Sequence, residues 1–469
     1  DALADRPTRA AFLRSCAAEL AADRAEIVAL ADAETALGEA RLSGELARTC
    51  TQLRAFADVV EAGAFLDVII NHPDDTIVPP VPDLRRYKIP LGVVAVYAAS
   101  NFPLAFSVPG GDTASALAAG CPVVVKAHPD HPATSERVLT ALRRAAAAHD
   151  LPETVVNVVH GFDAGLDLIR HPLVTAAGFT GSVRGGRALF DAAAARPTPI
   201  PFHGELGSLN PVVVTEAAAA DRPEEIGAGL AASATLGVGQ FCVKPGLVLV
   251  PSGDSGDAVV AALGKALADT APGVLLDHRM RDNFVRGVAE RRALPGVEAP
   301  VAGGPDGEHG VRAGFLAVPA DLLATSPAHE VLLEECFGPV TVIARYDDPA
   351  QVDAVLDRVP GSLSATLHIS PDEAAGAAPG AALLARLTEQ AGRVVVNAWP
   401  TGVAVAAAQH HGGPYPATTS TSTSVGTTAI ERWLRPVAYQ NTPDALLPPE
   451  LREANPLALP RLVDGHRQT

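Results

Sequence analysis

The chain has 469 residues, of which 53 are acidic and 36 are lysine or arginine, and its formal net charge is −17. This length favours two or three domains, and the acidic balance argues against nucleic acid or an anionic membrane as a partner. Hydrophobic residues make up 48% of the chain, yet no run predicts a membrane-spanning helix. We expect no secretion signal, and five scattered cysteines favour a reducing cytoplasm over disulfides or a zinc site.

The first predicted elements are helices. Residues 9–62 show helical periodicity and predict two or three amphipathic helices. Prolines and short alternating runs then predict an extended hairpin over 73–90, outside a core. From 91 onward, strands alternate with helices, and the strands are "LGVVAVYAA", "PVVVKAHP", "TVVNVVHG" and "AAGFT". This alternation is typical of a parallel sheet with helices on both faces.

A second α/β series follows from about 207 to 410. Its predicted strands include "GLVLV", "VTVIARY", "SATLHI" and "GRVVVN". The tail from 411 is rich in turn residues and then becomes extended. The sequence therefore predicts two successive α/β units and a non-helical tail.

Three motifs of the first series place polar or glycine residues just after predicted strands, where open α/β sheets bind ligands. Lys126 ends "VVVK", and Asn101 follows another strand, where its amide could donate to a developing oxyanion. In "FTGSVRGG", the glycines at 181, 185 and 186 would let backbone amides approach a pyrophosphate. Taken singly, they fit a solvated lysine, a turn asparagine and an ordinary strand-to-helix turn as well.

Three further motifs carry groups that could react or bind. "FHGELGSLNP" places Glu205 between glycines, "GQFCVKPG" contains Cys242, and "EECFGP" offers Glu335 and Phe337. Taken singly, a loop carboxylate, a buried inert thiol and a core phenylalanine are the simpler interpretations. The order of all these residues along the chain decides between the interpretations.

That order resembles the aldehyde dehydrogenase superfamily over essentially the whole chain. The segments "FTGS", "ELGSLNP", "GQFC" and "EECFGP" match signatures of that family. A bacterial branch is more similar still: the α-ketoglutarate semialdehyde (2,5-dioxopentanoate) dehydrogenases and related NADP-dependent fatty aldehyde dehydrogenases. The segments that carry this closer likeness are "ASNFPLAFSVPGGDTASALAAGCPVVVKAHPDHP", "NAWPTGVAV" and "HGGPYPATTSTSTSVGT".

The resemblance implies catalytic roles for three residues. Cys242 would attack the aldehyde as a thiolate and form a thiohemiacetal, and Lys244 is a hypothetical cation that lowers the thiol pKa. Asn101 and the backbone amide of Cys242 would form the oxyanion hole. Collapse of the oxyanion passes a hydride to the cofactor and leaves a thioester. Glu205 would deprotonate the water that hydrolyses this thioester, and we expect its pKa to be raised by an apolar pocket.

The resemblance also implies the cofactor residues. Lys126 would bind the adenosine ribose hydroxyls or a 2′-phosphate, Glu335 would hold the nicotinamide ribose, and Phe337 would pack near the nicotinamide. The phosphate turn would contain Gly181, Ser182 and Gly185.

The preference between NADP and NAD depends on the residues that follow Lys126. NAD-preferring members of the family often carry a glutamate three residues after this lysine, and here that residue is Pro129. The missing carboxylate would no longer repel a 2′-phosphate, and Arg184 is a candidate phosphate partner. NADP is therefore favoured, with NAD as the alternative.

The substrate contacts of the wider family do not carry over, because "HGGPYPATT" replaces its "GGxKxSG" loop. Candidates for an aldehyde tunnel, equally plausible as packing residues, are Phe102, Phe241, Trp399 and Val405. Arg41 and Arg48 could face an anionic substrate tail, although arginines on a helix are usually solvated.

The fold that the resemblance implies is the α/β aldehyde dehydrogenase fold. A Rossmann-like NAD(P)-binding domain would span 1–72 and 91–206, and an α/β catalytic domain would span 207–415. Residues 73–90 and 416–469 would form a small β oligomerisation element and the C-terminal tail. Exposed strand edges there would be covered in a homodimer or homotetramer.

Two other functions remain as alternatives. A coenzyme A-acylating dehydrogenase needs no hydrolytic base, so Glu205 argues against it. A non-catalytic dehydrogenase-like binding protein has no chemical need for Cys242, Glu205 and Asn101 together. The sequence does not identify the aldehyde: a semialdehyde, a fatty aldehyde or a pathway-specific intermediate all fit.

Overall fold

The computed structural model of the protein describes residues 3–468. It opens with three helices, followed by two strands: α1 (Arg6–Ala22), α2 (Arg24–Thr35), α3 (Glu39–Ala62), β1 (Val68–Asn71) and β2 (Leu84–Pro90). The Asp5 carboxylate caps α1 by accepting from the Thr8 amide, and α3 ends at Gly63, whose φ of 70° suits glycine. Within 3–468, no helix is both long and apolar enough to cross a membrane.

The first unit is a five-stranded parallel sheet covered by helices. Its elements are β3 (Val93–Tyr97), α4 (Gly111–Ala119), β4 (Val123–Lys126), α5 (Pro132–Ala147), β5 (Val156–Val159), α6 (Phe162–Arg170), β6 (Val174–Thr180), α7 (Val183–Ala194) and β7 (Phe202–Glu205). The strand order is β5-β4-β3-β6-β7. Val94 and Val96 of β3 join one hydrophobic cluster, and Ala95 and Tyr97 join another. Both faces of the sheet are therefore covered, as the sequence predicts.

The second unit contains a seven-stranded sheet. Its elements are β8 (Val212–Val214), α8 (Glu216–Asp221), α9 (Pro223–Thr235), β9 (Leu247–Pro251), α10 (Asp254–Ala268), β10 (Gly273–Val274), α11 (His278–Arg292), β11 (Glu298–Val301), β12 (Gly304–Asp306), β13 (Gly310–Arg312), β14 (Gly314–Pro319), α12 (Ala320–Thr325), β15 (Val340–Tyr346), α13 (Pro349–Leu356), β16 (Ser362–His368), α14 (Pro371–Ala374), α15 (Gly380–Gln390) and β17 (Ala391–Val396). The strand order is β11-β14-β15-β9-β8-β16-β17, antiparallel only between β11 and β14, and β10, β13 and β12 form a small separate sheet. Successive residues of β9 alternate between two clusters, so this sheet is also buried on both faces.

A third sheet combines early and late parts of the chain. The last strands are β18 (Leu434–Gln440), β19 (Arg461–Val463) and β20 (His466–Gln468), and the sheet order is β18-β2-β1-β19-β20. The predicted boundary at residue 72 placed β1 in the cofactor domain, and that placement is wrong. Val68 and Ile70 are buried on one side of β1 while the strand pairs with β2 and β19, so its hydrogen bonds belong to this sheet.

The first part of the C-terminal tail, residues 416–433, packs on the first unit and not on the predicted oligomerisation element. Trp433 is fully buried in the first unit, where its indole N–H donates to Ser115 Oγ at 2.7 Å, and Arg432 pairs with Asp112 at 2.8 Å. Thr418 forms a single antiparallel bridge with Glu205 at the end of β7. Residues 416–433 therefore return to the first unit before β18 begins.

Candidate active site

The carboxyl edge of the first sheet brings four predicted residues to one cavity. Asn101 follows β3, Lys126 ends β4, Gly181 follows β6 and Glu205 ends β7. Parallel strands end at the same edge of a sheet, which explains why these residues converge. All four line a cavity of about 710 Å³, together with Cys242. Its size is within the usual range for small-molecule and cofactor sites.

The loop that carries Cys242 is positioned by close backbone contact. Before it, residues 237–239 all have φ between 57° and 68°. A Cβ on Gly239 would lie 2.4 Å from the carbonyl carbon of Gly338, so only glycine fits there. This contact brings "GQFC" against "CFGP", and Glu335 and Phe337 therefore line the same cavity as Cys242.

Asn210 fixes the backbone from Cys242 to Lys244. Its side-chain amide donates to the carbonyl oxygens of Cys242 at 2.8 Å and Lys244 at 3.0 Å. Its Oδ1 accepts from the Ser364 hydroxyl at 3.0 Å. The sequence analysis quoted this residue only as part of "ELGSLNP" and did not assign it a role.

Cys242, His411 and Glu205 form a contiguous group. His411 Nε2 lies 3.6 Å from Cys242 Sγ and 3.0 Å from Glu205 Oε1, and the other carboxylate oxygen accepts from Ser424 Oγ at 2.6 Å. Glu205 and His411 are almost completely buried. Neither His411 nor Ser424 is predicted from the sequence. Its only signal was the atypical "HHGGPYP" loop, which was noted as a departure from the family.

The environment of Cys242 favours a neutral resting thiol. Burial raises the pKa of Cys242 well above its ordinary value, and the nearby carboxylates of Glu205 and Glu335 raise it further, while Arg393 opposes them. The thiol therefore needs a base in contact with it to become a nucleophile.

The environment of Glu205 differs from the sequence-based expectation. Burial by itself raises the pKa of this carboxyl, but His411, Ser424 and Arg432 together outweigh it and hold the pKa below its ordinary value. The expected raised pKa is wrong for this arrangement, because hydrogen bonds and positive charge favour the ionised form. Glu205 is thus a carboxylate beside a neutral thiol.

Lys244 does not face the thiol as hypothesised. Its ammonium donates to the backbone carbonyls of Cys336 at 3.0 Å and Val340 at 2.6 Å, on the side of Glu335. Burial lowers the pKa of Lys244. Burial also raises the pKa of Glu335 to about 7, although Lys244 opposes that rise. Lys244 therefore holds the "CFGP" segment in place.

Asn101 lies directly beside the cysteine loop. Its Nδ2 donates to the carbonyl of Gln240 at 3.0 Å, which leaves the second amide hydrogen for another acceptor. Its own carbonyl accepts from Arg41 at 2.6 Å. The Gln240 carbonyl therefore orients the side-chain amide of Asn101, and Arg41 holds its backbone carbonyl.

The far end of the cavity carries the predicted cofactor residues. The Lys126 ammonium lies 4.8 Å from the centre of the Phe162 ring, and burial lowers its pKa. Ser182 caps α7 by accepting from the Gly185 amide at 3.2 Å, and Gly181 and Gly185 line the cavity beside it. A helix N-terminus with small residues in front of it suits a phosphate.

A carboxylate does stand close to Lys126, although not at position 129. Asp130 lies 3.3 Å from His128 Nδ1 and 3.6 Å from Arg279, a residue of α11 in the second unit. Its charge raises the pKa of Lys126 against the effect of burial. Arg184 is exposed at the start of α7. Neither Asp130 nor Arg279 is predicted from the sequence.

The predicted tunnel residues separate into two groups. Phe102 and Phe241 meet edge to face at 5.2 Å, and the Arg41 guanidinium lies over both rings. Trp399 instead lies against the His368 ring, tilted by 44° with the ring centres 4.6 Å apart, and covers Gly229. That position is one of packing within the second unit. Val405 is half-buried in the loop after β17.

Glu205, Cys242 and His411 could also serve as metal ligands, since their ligating atoms all lie within 4.8 Å of one another. The sequence analysis expected no metal site, because it looked for paired spacing along the chain. These three residues are too far apart in the sequence for spacing to reveal them.

Comparison with known proteins extends the likeness over both sheets. The Aldehyde dehydrogenase family matches residues 2–435. Alpha-ketoglutaric semialdehyde dehydrogenase 2 of Azospirillum brasilense is 47% identical over 97% of this chain and 87% of its own length. Alpha-ketoglutaric semialdehyde dehydrogenase of Acinetobacter baylyi is 42% identical over 97% of this chain and 86% of its own length. A solved 3,6-anhydro-L-galactose dehydrogenase in complex with NADP has a TM-score of 0.76 at 23% identity, over 93% of this chain and 88% of that one.

Proposed function

The chain belongs to the aldehyde dehydrogenase family, and we propose that it oxidises a semialdehyde such as 2,5-dioxopentanoate to the carboxylate with NADP. The observation that carries the chemistry is the buried contact of Cys242 Sγ, His411 Nε2 and the Glu205 carboxylate. The substrate follows from the names of the two relatives that are 47% and 42% identical. A fatty or other pathway-specific aldehyde is the alternative.

In the first half-reaction Cys242 attacks the aldehyde carbon. Because its thiol is neutral at rest and Glu205 is ionised, the Glu205 carboxylate takes the thiol proton as the sulfur–carbon bond forms. The His411 N–H donates to the carboxylate, and its position 3.6 Å from Sγ lets it donate to the thiolate as well. His411 therefore acts as a catalytic residue that holds the Glu205 carboxylate beside Cys242 Sγ.

The aldehyde oxygen becomes negative in this step. The free hydrogen of the Asn101 amide and the backbone N–H of Cys242 are the donors for that charge. Asn101 is held by Gln240 and Arg41, so it needs little reorganisation when the charge develops.

In the second half-reaction Glu205 acts again. Once it has released the thiol proton, the ionised carboxylate removes a proton from the water that attacks the thioester. This hydrolytic role distinguishes the enzyme from one that passes its acyl group to coenzyme A.

The cavity suits a nicotinamide dinucleotide. When bound, NADP would accept the hydride from the thiohemiacetal carbon. Its phosphates would lie at the capped start of α7, and Lys126 would meet the adenosine ribose and its 2′-phosphate. Glu335 would hold the nicotinamide ribose, and Phe337 would pack beside the nicotinamide. Arg279 and His128 engage the Asp130 carboxylate, which would otherwise repel the 2′-phosphate.

A comparison of cofactors tests the preference for NADP. We expect kcat/KM to be higher for NADP than for NAD with the same aldehyde. A clear preference for NAD would mean that the Asp130 carboxylate dominates over Lys126 and Arg279.

The catalytic assignment is tested by two variants in a stopped-flow experiment. Glu205→Gln removes the base of both half-reactions but keeps the size. We expect it to slow thioester formation and to slow hydrolysis much more, because a thiol ionises far more readily than water. Mixing it with aldehyde and cofactor should give a burst of at most about one reduced cofactor per site, followed by very slow turnover. Cys242→Ala should show no burst.

Other outcomes of this experiment have definite meanings. Steady-state turnover near the parent rate in Glu205→Gln, or a full burst in Cys242→Ala, would contradict the assignment. Turnover of the parent enzyme that depends on coenzyme A would identify an acylating dehydrogenase. Loss of both burst and turnover in Glu205→Gln would indicate that Glu205 is needed to ionise Cys242.

We also propose that the chain assembles as a homodimer or homotetramer in the cytoplasm. The strands β17 and β18 are each the last strand of a sheet, so each leaves one edge of backbone groups for another chain. All five cysteines are free, which suits a reducing compartment. Light scattering of the purified protein measures the assembly directly.

A further inference from the structure

Three arginines lie near Cys242 and its loop in a protein whose formal net charge is −17. Arg41 and Arg48 belong to α3 of the first unit, and Arg393 belongs to β17 of the second unit. We call these three residues the arginine ring. Within residues 3–468, none of its guanidiniums forms an ion pair with a carboxylate.

Arg41 forms the wall next to the oxyanion residue. It donates to the Asn101 carbonyl at 2.6 Å, and its guanidinium lies 5.1 Å and 4.8 Å from the ring centres of Phe102 and Phe241. Its Nε and one terminal nitrogen are buried without a hydrogen-bond partner in the described part of the chain. Arg41 therefore orients the two phenylalanines predicted to line the tunnel.

Arg48 is the least constrained member of the ring. Its only described hydrogen bond is a long one of 3.4 Å to the Val403 carbonyl, and its guanidinium lies 5.5 Å from the centre of the Phe106 ring. The same ring lies 6.3 Å from the His411 ring. One terminal nitrogen of Arg48 is buried with no partner among residues 3–468. The charges of Cys242 and Glu205 both act on Arg48, which places it close to the reacting groups.

Arg393 binds the loop that follows β17. Its guanidinium donates to the carbonyls of Gly402 at 2.9 Å and Pro400, in the loop that Arg48 also touches at Val403. Its Nε is buried without a partner in the described residues. Arg393 is also the positive charge that opposes the rise of the Cys242 pKa.

The nearest candidate to neutralise the ring is Glu45, which lies between Arg41 and Arg48 on α3. One of its oxygens accepts the backbone amides of Leu104 and Ala105, both at 2.8 Å. Burial raises the pKa of Glu45 and so weakens its negative charge. Glu45 is therefore committed to the backbone after Asn101, and the arginine donors stay available.

We propose that the arginine ring binds the carboxylate at the far end of a semialdehyde, with Arg48 as the residue in direct contact. The inference rests on the proposed function and names the residues that select an anionic substrate over an uncharged one. Unpaired, buried guanidinium N–H groups are costly unless a ligand satisfies them, and a carboxylate matches them in charge and geometry. Arg41 positions Phe102 and Phe241, Arg393 positions the loop after β17, and both add to the positive potential around the bound carboxylate.

Two aldehydes of equal length test this inference: 5-oxopentanoate, which ends in a carboxylate, and pentanal, which ends in a methyl group. For the parent enzyme we expect the larger kcat/KM with 5-oxopentanoate. Arg48→Gln should lower that value by about 10- to 100-fold, mainly through KM, because one charge-assisted hydrogen bond is lost. The value for pentanal should change by less than about threefold. Arg48→Lys should restore part of the loss.

Arg54→Gln is the matched control, since it removes an exposed charge from the same helix. It should leave both aldehydes unaffected. An equal loss for both aldehydes in Arg48→Gln, or no loss for either, would overturn the inference while leaving the proposed function intact. Reduced cofactor from neither aldehyde with the parent enzyme would overturn both.

A measurement on the parent enzyme covers the case in which Arg48→Gln fails to fold. Added NaCl should lower kcat/KM for 5-oxopentanoate much more than for pentanal, because salt screens charge–charge attraction. Equal salt dependence for the two aldehydes would contradict the role of the ring.

Discussion

The two parallel sheets present their functional side chains from opposite ends of their strands. In the first sheet, Asn101, Lys126 and Glu205 lie at or just after the carboxyl ends of β3, β4 and β7. In the second sheet, Cys242 and Glu335 lie in loops that precede β9 and β15. The carboxyl edge of one sheet therefore faces the amino edge of the other across the cavity.

The two sheet edges also differ in the sign of charge that the neighbouring helix ends favour. At the carboxyl edge of the first sheet, the N-terminus of α7 is capped by Ser182 and favours negative charge, as the phosphates of a bound cofactor would supply. Cys242 instead follows the C-terminal end of α9, which offers no such help to a thiolate. We propose that the Cys242 thiolate relies on side chains instead: Glu205 accepts the thiol proton, and the His411 N–H donates to the sulfur. Electrostatic support thus comes from backbone on the cofactor side and from side chains on the cysteine side.

The largest expected effect that tests this comparison is at a strand end. Asn101→Ala removes a donor for the oxyanion, and we expect kcat to fall by about 10²- to 10³-fold. Asn157→Ala, at an asparagine of β5 in the same sheet, should have little effect. Steady-state kinetics with saturating cofactor measures both. A loss smaller than tenfold would mean that Asn101 does not stabilise the oxyanion, and that Glu205 alone represents the first sheet in the chemistry.

The next effect is at His411, in a loop after the second sheet. His411→Asn removes the donor to Glu205, and we expect kcat to fall by about 10- to 100-fold. Because His411 lowers the pKa of Glu205, its loss should raise that pKa and move the acid limb of the pH–rate profile to higher pH. His410→Asn is the matched control. An unmoved acid limb in His411→Asn would show that His411 does not tune the base.

A smaller effect is expected at Lys126. Lys126→Ala should raise the KM for NADP by about 10- to 30-fold, with a smaller rise for NAD, since we propose that the lysine binds the 2′-phosphate. Lys265→Ala, on the exposed face of α10, serves as the control. Equal rises for the two cofactors would place Lys126 on the ribose hydroxyls alone.

The smallest effect is expected at Arg184. It is exposed at the start of α7, so Arg184→Ala should lower kcat/KM for NADP by no more than about fivefold and leave NAD unchanged. Arg187→Ala, one turn further along the same helix, is the comparison. A loss as large as that in Lys126→Ala would show that Arg184 closes over the cofactor.

The sequence by itself determined the two α/β units, because apolar strands and amphipathic helices have distinct periodicities. It also indicated the residues at strand ends and the cysteine loop, since short motifs surround each of them. Asn101, Lys126, Glu205, Cys242 and Glu335 accordingly line one cavity.

Only the tertiary structure decided which distant residues share that cavity and how they are charged. His411 and Ser424 are about two hundred residues from Glu205 and lie in a turn-rich tail without periodicity, yet they hold its pKa below the ordinary value. Lys244 is two residues from Cys242 but points to other backbone carbonyls. Proximity along the chain does not set the direction of a side chain in a loop. The pKa of a buried group depends on all its neighbours in space, and packing alone determines those neighbours.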